Sequence, residues 1–317
     1  MTDILTITLN PALDIATSCD TLLPSHKLRC AHAEHFPGGG GINVARVVQR
    51  LGGDCLALYL AGGTVGNRLQ ELIQAEQVPS HRLQIADETR ESFSVLESST
   101  GREYRFVLPG PTLSAQEWQA CVDYLGAMEP APRYVVLSGS LPPGVSVDSY
   151  AQLAGVAHAR GARVVLDSSG APLAAALDHG VYLIKPSRRE LSELTGAHPE
   201  DETQWCAAAE SVLRDGRAEL VALSLGERGA MLFSAEGAWR ADALQVDVKS
   251  TTGAGDSFLA AMVWALNQDF TLPAAFRYGV AAGTAALLHA GTTLCRADDV
   301  ARLVRQVHVA AMSSDLH

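Results

Sequence analysis

Residues 250–258 read STTGAGDSF and place one carboxylate between a pair of glycines and a long apolar run. Where a helix begins, several backbone N–H groups have no partner, and the helix dipole adds positive potential at the same spot. Gly253 and Gly255 lack a Cβ atom, so an anion can approach that backbone closely. Asp256 would repel such an anion unless it handles a proton, and its alternative role is that of a helix cap. The stretch therefore indicates an anion site beside a general base, or a capped helix.

A second stretch, PGGGGINVAR over residues 37–46, carries four consecutive glycines into an apolar helical segment. Backbone amides in such a run can meet a polyhydroxylated ligand, and Asn43 offers both a donor and an acceptor. A flexible loop is the alternative interpretation. Asp14 follows the first predicted strand, where ligand-binding groups collect in α/β sheets, although the residue taken on its own favours a turn.

Two further stretches join strand ends to polar groups. In IKPSRREL (184–191), Lys185 ends a strand and Glu190 falls in the next helix, which suits phosphates and Mg²⁺ respectively; a surface ion pair is the alternative. SLGERGA (224–230) reads as a strand, a glycine turn and a strand, or simply as an ordinary hairpin. The nucleotide fingerprints fail, since Phe258 stands at the third glycine of GxGxxG and no GxxxxGK[ST] occurs.

Near-continuous apolar runs alternate with amphipathic segments along most of the chain. Strands are predicted for ILTITLN, DCLALYLAGG, RYVVLSGS, RVVLDSS and VYLIKPS, and helices for INVARVVQRLG, VGNRLQELIQAEQ and residues 147–160. Buried strands separated by helices predict a parallel sheet covered on both faces, so we expect a doubly wound, three-layer α/β fold in one domain, 1–317. From about residue 256 the sequence is mostly helical.

Two segments break this alternation. Residues 91–110 read as a hairpin with STGR at the turn, and residues 27–36, KLRCAHAEHF, as an isolated strand. We expect a small second sheet built from about 15–36 and 88–110, acting as a lid, as a dimer contact or as both.

The totals exclude several classes of protein. A net charge of −11 over 317 residues argues against a nucleic-acid partner. Six cysteines without a CxxC indicate buried thiols rather than a disulfide or zinc site. The start of the chain lacks the pattern of a secretion signal, and no apolar run reaches the roughly 18 residues of a membrane span. A soluble, cytoplasmic protein is expected.

Together and in this order, the motifs resemble the ribokinase-like carbohydrate kinases, the phosphofructokinase B family, from residue 4 to about 305. TTGAGDSF is similar to the C-terminal signature of that family and GGGGINVAR to its N-terminal one. TLNPALD, LSGSLPPG and LDSSG resemble the hexose-phosphate branch, while KLRC and YRFVLPG are most similar to the minor-isozyme 6-phosphofructokinases. The lysine that 1-phosphofructokinases and tagatose-6-phosphate kinases usually carry inside the glycine run is absent.

The resemblance implies an ATP-dependent kinase with Mg²⁺ that phosphorylates a hexose monophosphate. Fructose 6-phosphate, giving fructose 1,6-bisphosphate, is the favoured substrate; a 1-phosphofructokinase or a tagatose-6-phosphate kinase is the alternative. A non-catalytic sugar-phosphate or nucleotide sensor would be a different class, and the intact Asp256 beside its glycines argues against it. A homodimer through the lid is also implied.

The family's roles fall on particular residues of this chain. Asp256 is expected as the general base, and the anion hole as Gly253, Ala254 and Gly255. The sugar-binding positions are Asp14, Lys27, Gly39, Gly40, Gly41, Asn43, Arg90 and Ser140, with Lys27 and Arg90 on the existing phosphate. The nucleotide and Mg²⁺-water positions are Lys185, Ser187, Glu190, Ser224, Gly226, Gly229 and Thr251. A K⁺ ion is expected on carbonyl groups of Ser250, Thr252, Ala286 and Gly291.

One residue departs from the family pattern. Relatives usually carry an Asn-x-x-Glu unit that orders the water shell of the metal, and here Ser187 takes the place of the asparagine. A hydroxyl has a shorter reach than an amide, so nucleotide and Mg²⁺ handling are the expectations that this change affects most.

Overall fold

The computed structural model describes residues 2–197 and 201–312, within which strands and helices alternate. The strands are β1 (Ile4–Thr8), β2 (Ala12–Cys19), β3 (Glu34–Gly38), β4 (Cys55–Ala61), β5 (Ser80–Gln84), β6 (Arg90–Glu97), β7 (Arg102–Val107), β8 (Tyr134–Ser138), β9 (Arg163–Asp167), β10 (Val181–Ile184), β11 (Ala218–Ser224), β12 (Ala230–Ser234), β13 (Gly237–Ala241) and β14 (Val309–Ala311). The helices are α1 (Gly40–Arg50), α2 (Gly63–Ala75), α3 (Ala115–Ala127), α4 (Ser149–Ala159), α5 (Gly170–Leu177), α6 (Arg188–Thr195), α7 (Glu202–Arg214), α8 (Ala254–Asn267), α9 (Leu272–Ala286) and α10 (Ala297–Leu303).

Among the described residues, a 10-stranded main sheet has the order β14-β13-β12-β11-β10-β9-β8-β1-β4-β5. The strands from β11 to β5 are parallel, and β12, β13 and β14 add antiparallel to the β11 edge. All residues of β1 are buried because helices cover both faces of the sheet. The chain places β4 and β5 on one side of β1 and β8 on the other, so the topological switch point lies between β1 and β8.

Two apolar clusters fill the layers on either side of the main sheet. One takes side chains from α1, α2, α8, α9 and α10, among them Ile42, Leu69, Leu259, Phe276 and Val300. The other takes side chains from α3 to α7, among them Leu125, Leu153, Leu173, Leu191 and Val212. The predicted three-layer α/β fold is confirmed. No helix in the described ranges is long and apolar enough to cross a bilayer.

A separate four-stranded sheet, the lid sheet, has the order β3-β2-β6-β7. β2 pairs antiparallel with β3 and parallel with β6, and β6 and β7 form the predicted hairpin. Large apolar side chains are exposed on β7 of this sheet, where Tyr104 is 36%, Phe106 51% and Val107 59% exposed. A second sheet of this kind was predicted, although its first strand begins at Ala12 rather than near residue 15.

One predicted strand is wrong over most of its length. Within residues 27–36 only the end, from Glu34, is a strand. The register that pairs Ala16 with Glu34 would set Ser18 opposite His32. The carbonyl of Ser18 instead accepts from the N–H of Ala31 at 2.8 Å. This slip of one residue ends the regular ladder, and residues 27–33 form a loop.

The six cysteines are all free thiols, as expected. Cys19, Cys55, Cys121 and Cys295 are buried as expected, whereas Cys206 is half-buried and Cys30, on the loop before β3, is exposed.

Candidate active site

A polar cavity of about 540 Å³ lies at the switch point, between the main sheet and the lid sheet. The carboxyl ends of β8, β9 and β10 contribute Ser138, Asp167 and Lys185, and the start of α8 contributes Asp256. Parallel strands bring their carboxyl ends to one edge, which explains why residues so far apart in sequence meet there. The lid sheet closes the other side with Asp14, Arg90 and Arg105.

Asp256 is held in this cavity by Asn43. The Nδ2 of Asn43 donates to Oδ2 of Asp256 at 2.8 Å, across 213 positions of sequence. Burial raises the pKa of Asp256, and the Asn43 bond and the charge of Lys185 oppose that rise. The helix-cap alternative does not hold, because Gly253 is the N-cap of α8 and no side chain caps it.

The turn into α8 depends on its glycines. Gly253 has φ of 75°, in the left-handed region that glycine adopts without strain. A Cβ atom at Gly255 would lie 3.2 Å from Nζ of Lys185. The N–H of Ala254 makes only a 3.4 Å bond to the carbonyl of Thr251, so its donor capacity is largely unused. The start of α8 therefore leaves a backbone donor with little internal use and room for a close approach.

The glycine run before α1 lets the backbone approach the floor of the cavity. A Cβ atom at Gly40 would lie 2.1 Å from Oγ of Ser138, so a larger residue there would have to displace the serine side chain. Gly39, Gly40 and Asn43 line the cavity, whereas Gly41 is buried against Thr8 of β1 and does not line it.

Asp14 lies on β2 of the lid sheet rather than at the end of a main-sheet strand. Thr292 Oγ1 donates to its Oδ2 at 3.2 Å. Burial raises the pKa of Asp14, while this hydrogen bond and the charges of Arg105, Arg46 and Arg90 lower it. Asp14 and Asp256 are thus two partly buried carboxylates of the cavity, and the charge of Arg105 acts on both of them.

Arg90 borders the cavity and ties the lid to its surroundings. Its guanidinium donates to the carbonyls of Asn10 at 2.8 Å and Leu108 at 3.2 Å. Ser140 lies at the same rim and accepts from Nδ2 of Asn10 at 3.2 Å. Lys27, by contrast, is exposed on the loop before β3 and does not line the cavity.

Lys185 is buried at the end of β10 and pairs with a carboxylate that the sequence analysis did not single out. Its Nζ lies 3.3 Å from Oδ1 of Asp167. Burial lowers the pKa of Lys185, but the carboxylates of Asp167, Asp256 and Glu190 outweigh it and the pKa is raised. Burial raises the pKa of Asp167 to about 6, against the attraction of Lys185. The ammonium group of Lys185 is thus stabilised by three carboxylates, those of Asp167, Asp256 and Glu190.

A second cavity, of about 580 Å³, adjoins the first. Its lining is mostly small and apolar: Gly226, Gly229, Val246, Val248, Val280 and Leu287 are among its residues. Ser224 and Thr251 border it as well, and Ala254 stands at its mouth. Lys185 and Gly255 line both cavities. The two spaces therefore meet beside Asp256.

Ser187 and Glu190 form a capping box at the start of α6. The N–H of Glu190 donates to Oγ of Ser187 at 3.3 Å, and the N–H of Ser187 donates to Oε2 of Glu190 at 2.8 Å. Glu190 lines the polar cavity near Asp167, whereas Ser187 lines neither cavity. Ser187, which replaces the asparagine of the family pattern, thus serves as the N-cap of α6.

The residues present fit a hydrated Mg²⁺ rather than a closed metal cage. Among the described residues no three His, Cys, Asp or Glu side chains are grouped to hold a metal. Mg²⁺ keeps several waters and takes one or two carboxylates plus phosphates, and Glu190 and Asp167 offer such oxygens.

The four residues expected to hold K⁺ lie on two adjoining segments. The N–H of Lys249 donates to the carbonyl of Leu287 at 2.7 Å, which joins residues 250–252 to residues 286–291. Ser250 is buried and donates to Glu103 of the lid sheet at 3.2 Å. Oγ1 of Thr252 is buried, and no partner for it occurs among the described groups.

Several residues of the site were missed by sequence reasoning. Asp167 ends a strand that was predicted, so its position carried a signal. Arg105 lies on β7 among exposed residues, and Thr292 follows α9 in a segment with no recognisable motif. Only the fold brings these last two to the cavity.

Comparison with known proteins agrees with this geometry. The pfkB family carbohydrate kinase model matches residues 7–299. This chain belongs to that family. It is 44% identical over 299 residues to the ATP-dependent 6-phosphofructokinase isozyme 2 of Mycobacterium tuberculosis, covering 94% of this chain and 88% of the relative. The isozyme 2 of Escherichia coli is 40% identical over 304 residues, covering 96% and 98%.

Solved structures give the same result for the fold. Phosphofructokinase-2 from Escherichia coli in complex with fructose-6-phosphate has a TM-score of 0.91 at 38% identity, covering 96% of this chain and 99% of that one. Its complex with potassium has a TM-score of 0.92 at 39% identity, with the same coverage. The chain is therefore a sugar-phosphate kinase of the ribokinase-like fold.

Proposed function

We propose that the chain transfers the γ-phosphoryl group of ATP to the C1 hydroxyl of fructose 6-phosphate, yielding ADP and fructose 1,6-bisphosphate. The observation that carries this proposal is the position of Asp256 where a polar cavity and a largely apolar cavity meet. The polar cavity suits a sugar phosphate, and the apolar one suits an adenosine group with its phosphates directed toward Lys185.

Asp256 acts as the general base. It accepts the proton of the C1 hydroxyl as that oxygen attacks the γ-phosphorus and the bond to the β-phosphate oxygen breaks. Asn43 fixes Oδ2 of the carboxylate through the 2.8 Å bond, and Asp14 and the backbone of Gly39 and Gly40 orient the sugar. The N–H groups at Gly253, Ala254 and Gly255 stabilise the charge on the transferring phosphoryl group.

The nucleotide side of the reaction depends on Lys185 and on the second cavity. Ser224, Gly226, Gly229 and Thr251 border the space proposed for ATP. The buried ammonium group of Lys185 reaches the junction, where it offsets phosphate charge. Mg²⁺, bound together with ATP, would be held through water by Glu190 and would neutralise the phosphates.

The phosphate already on the sugar would be bound by lid arginines. Arg90 and Arg105 line the polar cavity on the lid side, and guanidinium groups bind phosphate with charge-assisted hydrogen bonds. Lys27 is exposed on the lid loop of the same chain, so its proposed contact with the phosphate requires that this loop move or meet another subunit. We propose a homodimer through the exposed apolar side chains of the lid sheet.

The proposal includes a bound K⁺ ion and a cellular location. K⁺ would bind to carbonyl oxygens of Ser250, Thr252, Ala286 and Gly291, and the unpartnered hydroxyl of Thr252 supports an oxygen-rich site there. The enzyme would work in the cytoplasm, where its ATP is.

The test is a panel of acceptors scored by ADP release: fructose 6-phosphate, fructose 1-phosphate, tagatose 6-phosphate, free fructose and no sugar. We expect the highest kcat/KM for fructose 6-phosphate, and ³¹P NMR should place the new phosphate on C1. A clear preference for fructose 1-phosphate would overturn the proposed position of phosphorylation, while the assignment as a sugar-phosphate kinase would stand. ADP release that no sugar stimulates would overturn the proposed function.

A further inference from the structure

Arg46, in the middle of α1, carries a charge that is almost wholly buried, with 1% of the residue exposed. A buried guanidinium is tolerated only when its charge is paired and its donors are used. Glu76, the residue that follows α2, supplies the counter-charge: its carboxylate accepts from Nε at 3.0 Å and from Nη2 at 2.6 Å. Burial lowers the pKa of Arg46, and Glu76 opposes that change.

The remaining nitrogen of Arg46 reaches the borders of the polar cavity. Nη1 donates to the carbonyl of Pro37 at 3.1 Å, to Oδ1 of Asn43 at 3.0 Å and to the carbonyl of Thr292 at 3.1 Å. These acceptors belong to β3, to α1 and to the segment after α9. The side chain of Arg46 therefore connects α1, β3 and the segment after α9, all of which border the site.

The contact with Asn43 decides which way that amide points. A guanidinium can only donate, so it must face the oxygen of the Asn43 amide. The NH₂ group of the same amide is then directed at Oδ2 of Asp256, where it donates at 2.8 Å. Without Arg46 the amide could turn over and present its oxygen to the carboxylate.

A second chain of hydrogen bonds connects Arg46 to the carboxylate of Asp14. Arg46 holds the carbonyl of Thr292, and Oγ1 of Thr292 donates to Oδ2 of Asp14 at 3.2 Å. Asp256 and Asp14 are thus each linked to Arg46 through a single intermediate residue, Asn43 and Thr292 respectively.

We infer that Arg46 is a positioning residue for phosphoryl transfer: it keeps the donor of Asn43 on Asp256 and so keeps that base ionised and aligned. This rests on the proposed role of Asp256 as the base. Arg46 does not line the polar cavity, so it acts through Asn43 and Thr292 rather than on the substrate.

Other charged groups also face Asp256 and must be held constant in any test. They are Lys185 on β10, Asp14 on β2 and Arg105 on β7, and Asp167 on β9 is coupled to Asp256 as well. None of them is hydrogen-bonded to Arg46, but the charge of Arg46 lowers the pKa of Asp14. R46K keeps that charge and so separates the loss of the bond to Asn43 from the loss of the charge.

The chain contains a matched control one helical turn away. Arg50 also pairs with Glu76, at 2.8 Å, and also holds carbonyls after α9, those of Thr293 and Cys295. It has no bond to Asn43 among the described contacts. Arg46→Met and Arg50→Met therefore each remove one of two ion pairs to Glu76, and only the first frees the amide.

The experiment is the pH profile of kcat/KM for fructose 6-phosphate with wild type, R46M and R50M. We expect R46M to lose about tenfold to a hundredfold at pH 7, the scale of a small misplacement of a reacting group. Its acid limb should move to higher pH, because a base without its donor protonates more easily. R50M should keep the acid limb of wild type. Identical acid limbs for R46M and R50M would overturn the inference.

Two additions keep the result decisive. If R46M fails to fold, R46K keeps the charge beside Glu76 but cannot reproduce the fork of bonds, and its acid limb should also rise. A ¹³C NMR titration of the Asp256 carboxyl reads the same effect without turnover. If wild type phosphorylates no sugar, the proposed function fails, while an unchanged Asp256 titration in R46M and R46K would overturn the positioning role alone.

Discussion

Asn43 and Asp256, 213 residues apart, are joined by a hydrogen bond of 2.8 Å between an amide N–H and a carboxylate oxygen. The bond links the start of α1 to the start of α8, the two helices that follow the glycine-rich motifs of the sequence. It places the carboxylate at the junction of the two cavities, so the N-terminal and C-terminal motifs form a single site.

Arg90→Ala should lower kcat/KM for fructose 6-phosphate. The loss of transition-state stabilisation should be about 1.5–3 kcal/mol, the contribution of a hydrogen bond to a charged group. Steady-state kinetics on fructose 6-phosphate and free fructose should show the loss on the phosphorylated sugar alone. Arg102→Ala, on the same lid sheet but outside the cavity lining, should leave both rates unchanged. An equal loss on both sugars would mean that Arg90 only tethers the lid to Asn10 and Leu108.

Ser187→Ala should destabilise the protein by about 1 kcal/mol, since it removes one of the two bonds of the capping box at α6. Ser187→Asn should keep the stability, because asparagine is as good an N-cap as serine. Urea denaturation measures both. An alanine variant as stable as wild type would show that the cap contributes nothing.

The stability of the protein should depend on Asp167 between pH 3.8 and about 6. Burial raises the pKa of this carboxyl from 3.8 to about 6, so the folded state holds the proton more tightly than the unfolded chain. The contribution of Asp167 to stability is present below pH 3.8 and lost as the pH rises through about 6. The free energy of unfolding of wild type relative to Asp167→Asn should therefore fall over this range. A constant difference would show that the pKa is not raised.

Phe106→Glu should prevent dimer formation, because it places a charge among the exposed apolar side chains of the lid sheet. Sedimentation velocity at micromolar concentration should give a dimer for wild type and a monomer for the variant. Val147→Glu, at a residue that is 46% exposed and belongs to neither sheet, should remain dimeric. A wild-type monomer at these concentrations would contradict the lid dimer.

Much of this architecture follows from local pattern. Apolar runs such as ILTITLN favour strands covered on both faces, and the glycines at 253 and 255 favour a tight turn with a close approach to the backbone. What the pattern could not reveal were contacts set by tertiary structure. Arg46 reads as one charge on an amphipathic helix, yet it is 1% exposed, because Glu76 and the carbonyls of Pro37 and Thr292, on other segments, surround it.

The strand predicted over residues 27–36 failed for a similar reason. Its composition suits a strand, but the pairing with β2 slips by one residue at Ala31, and no local signal marks that slip. Arg105 was missed because an arginine on an exposed strand is ordinary; only the packing of the lid sheet over the main sheet aims it at Asp14 and Asp256.

The most direct measurement is the turnover of Asp256→Asn with ATP and fructose 6-phosphate. Asparagine has the same shape as aspartate, so the variant should fold and bind ATP like wild type by thermal melting and calorimetry. Its kcat should fall by about 10²–10⁴, the usual contribution of a general base. A variant that binds ATP normally and keeps most of its turnover would contradict the assignment of Asp256 as the base.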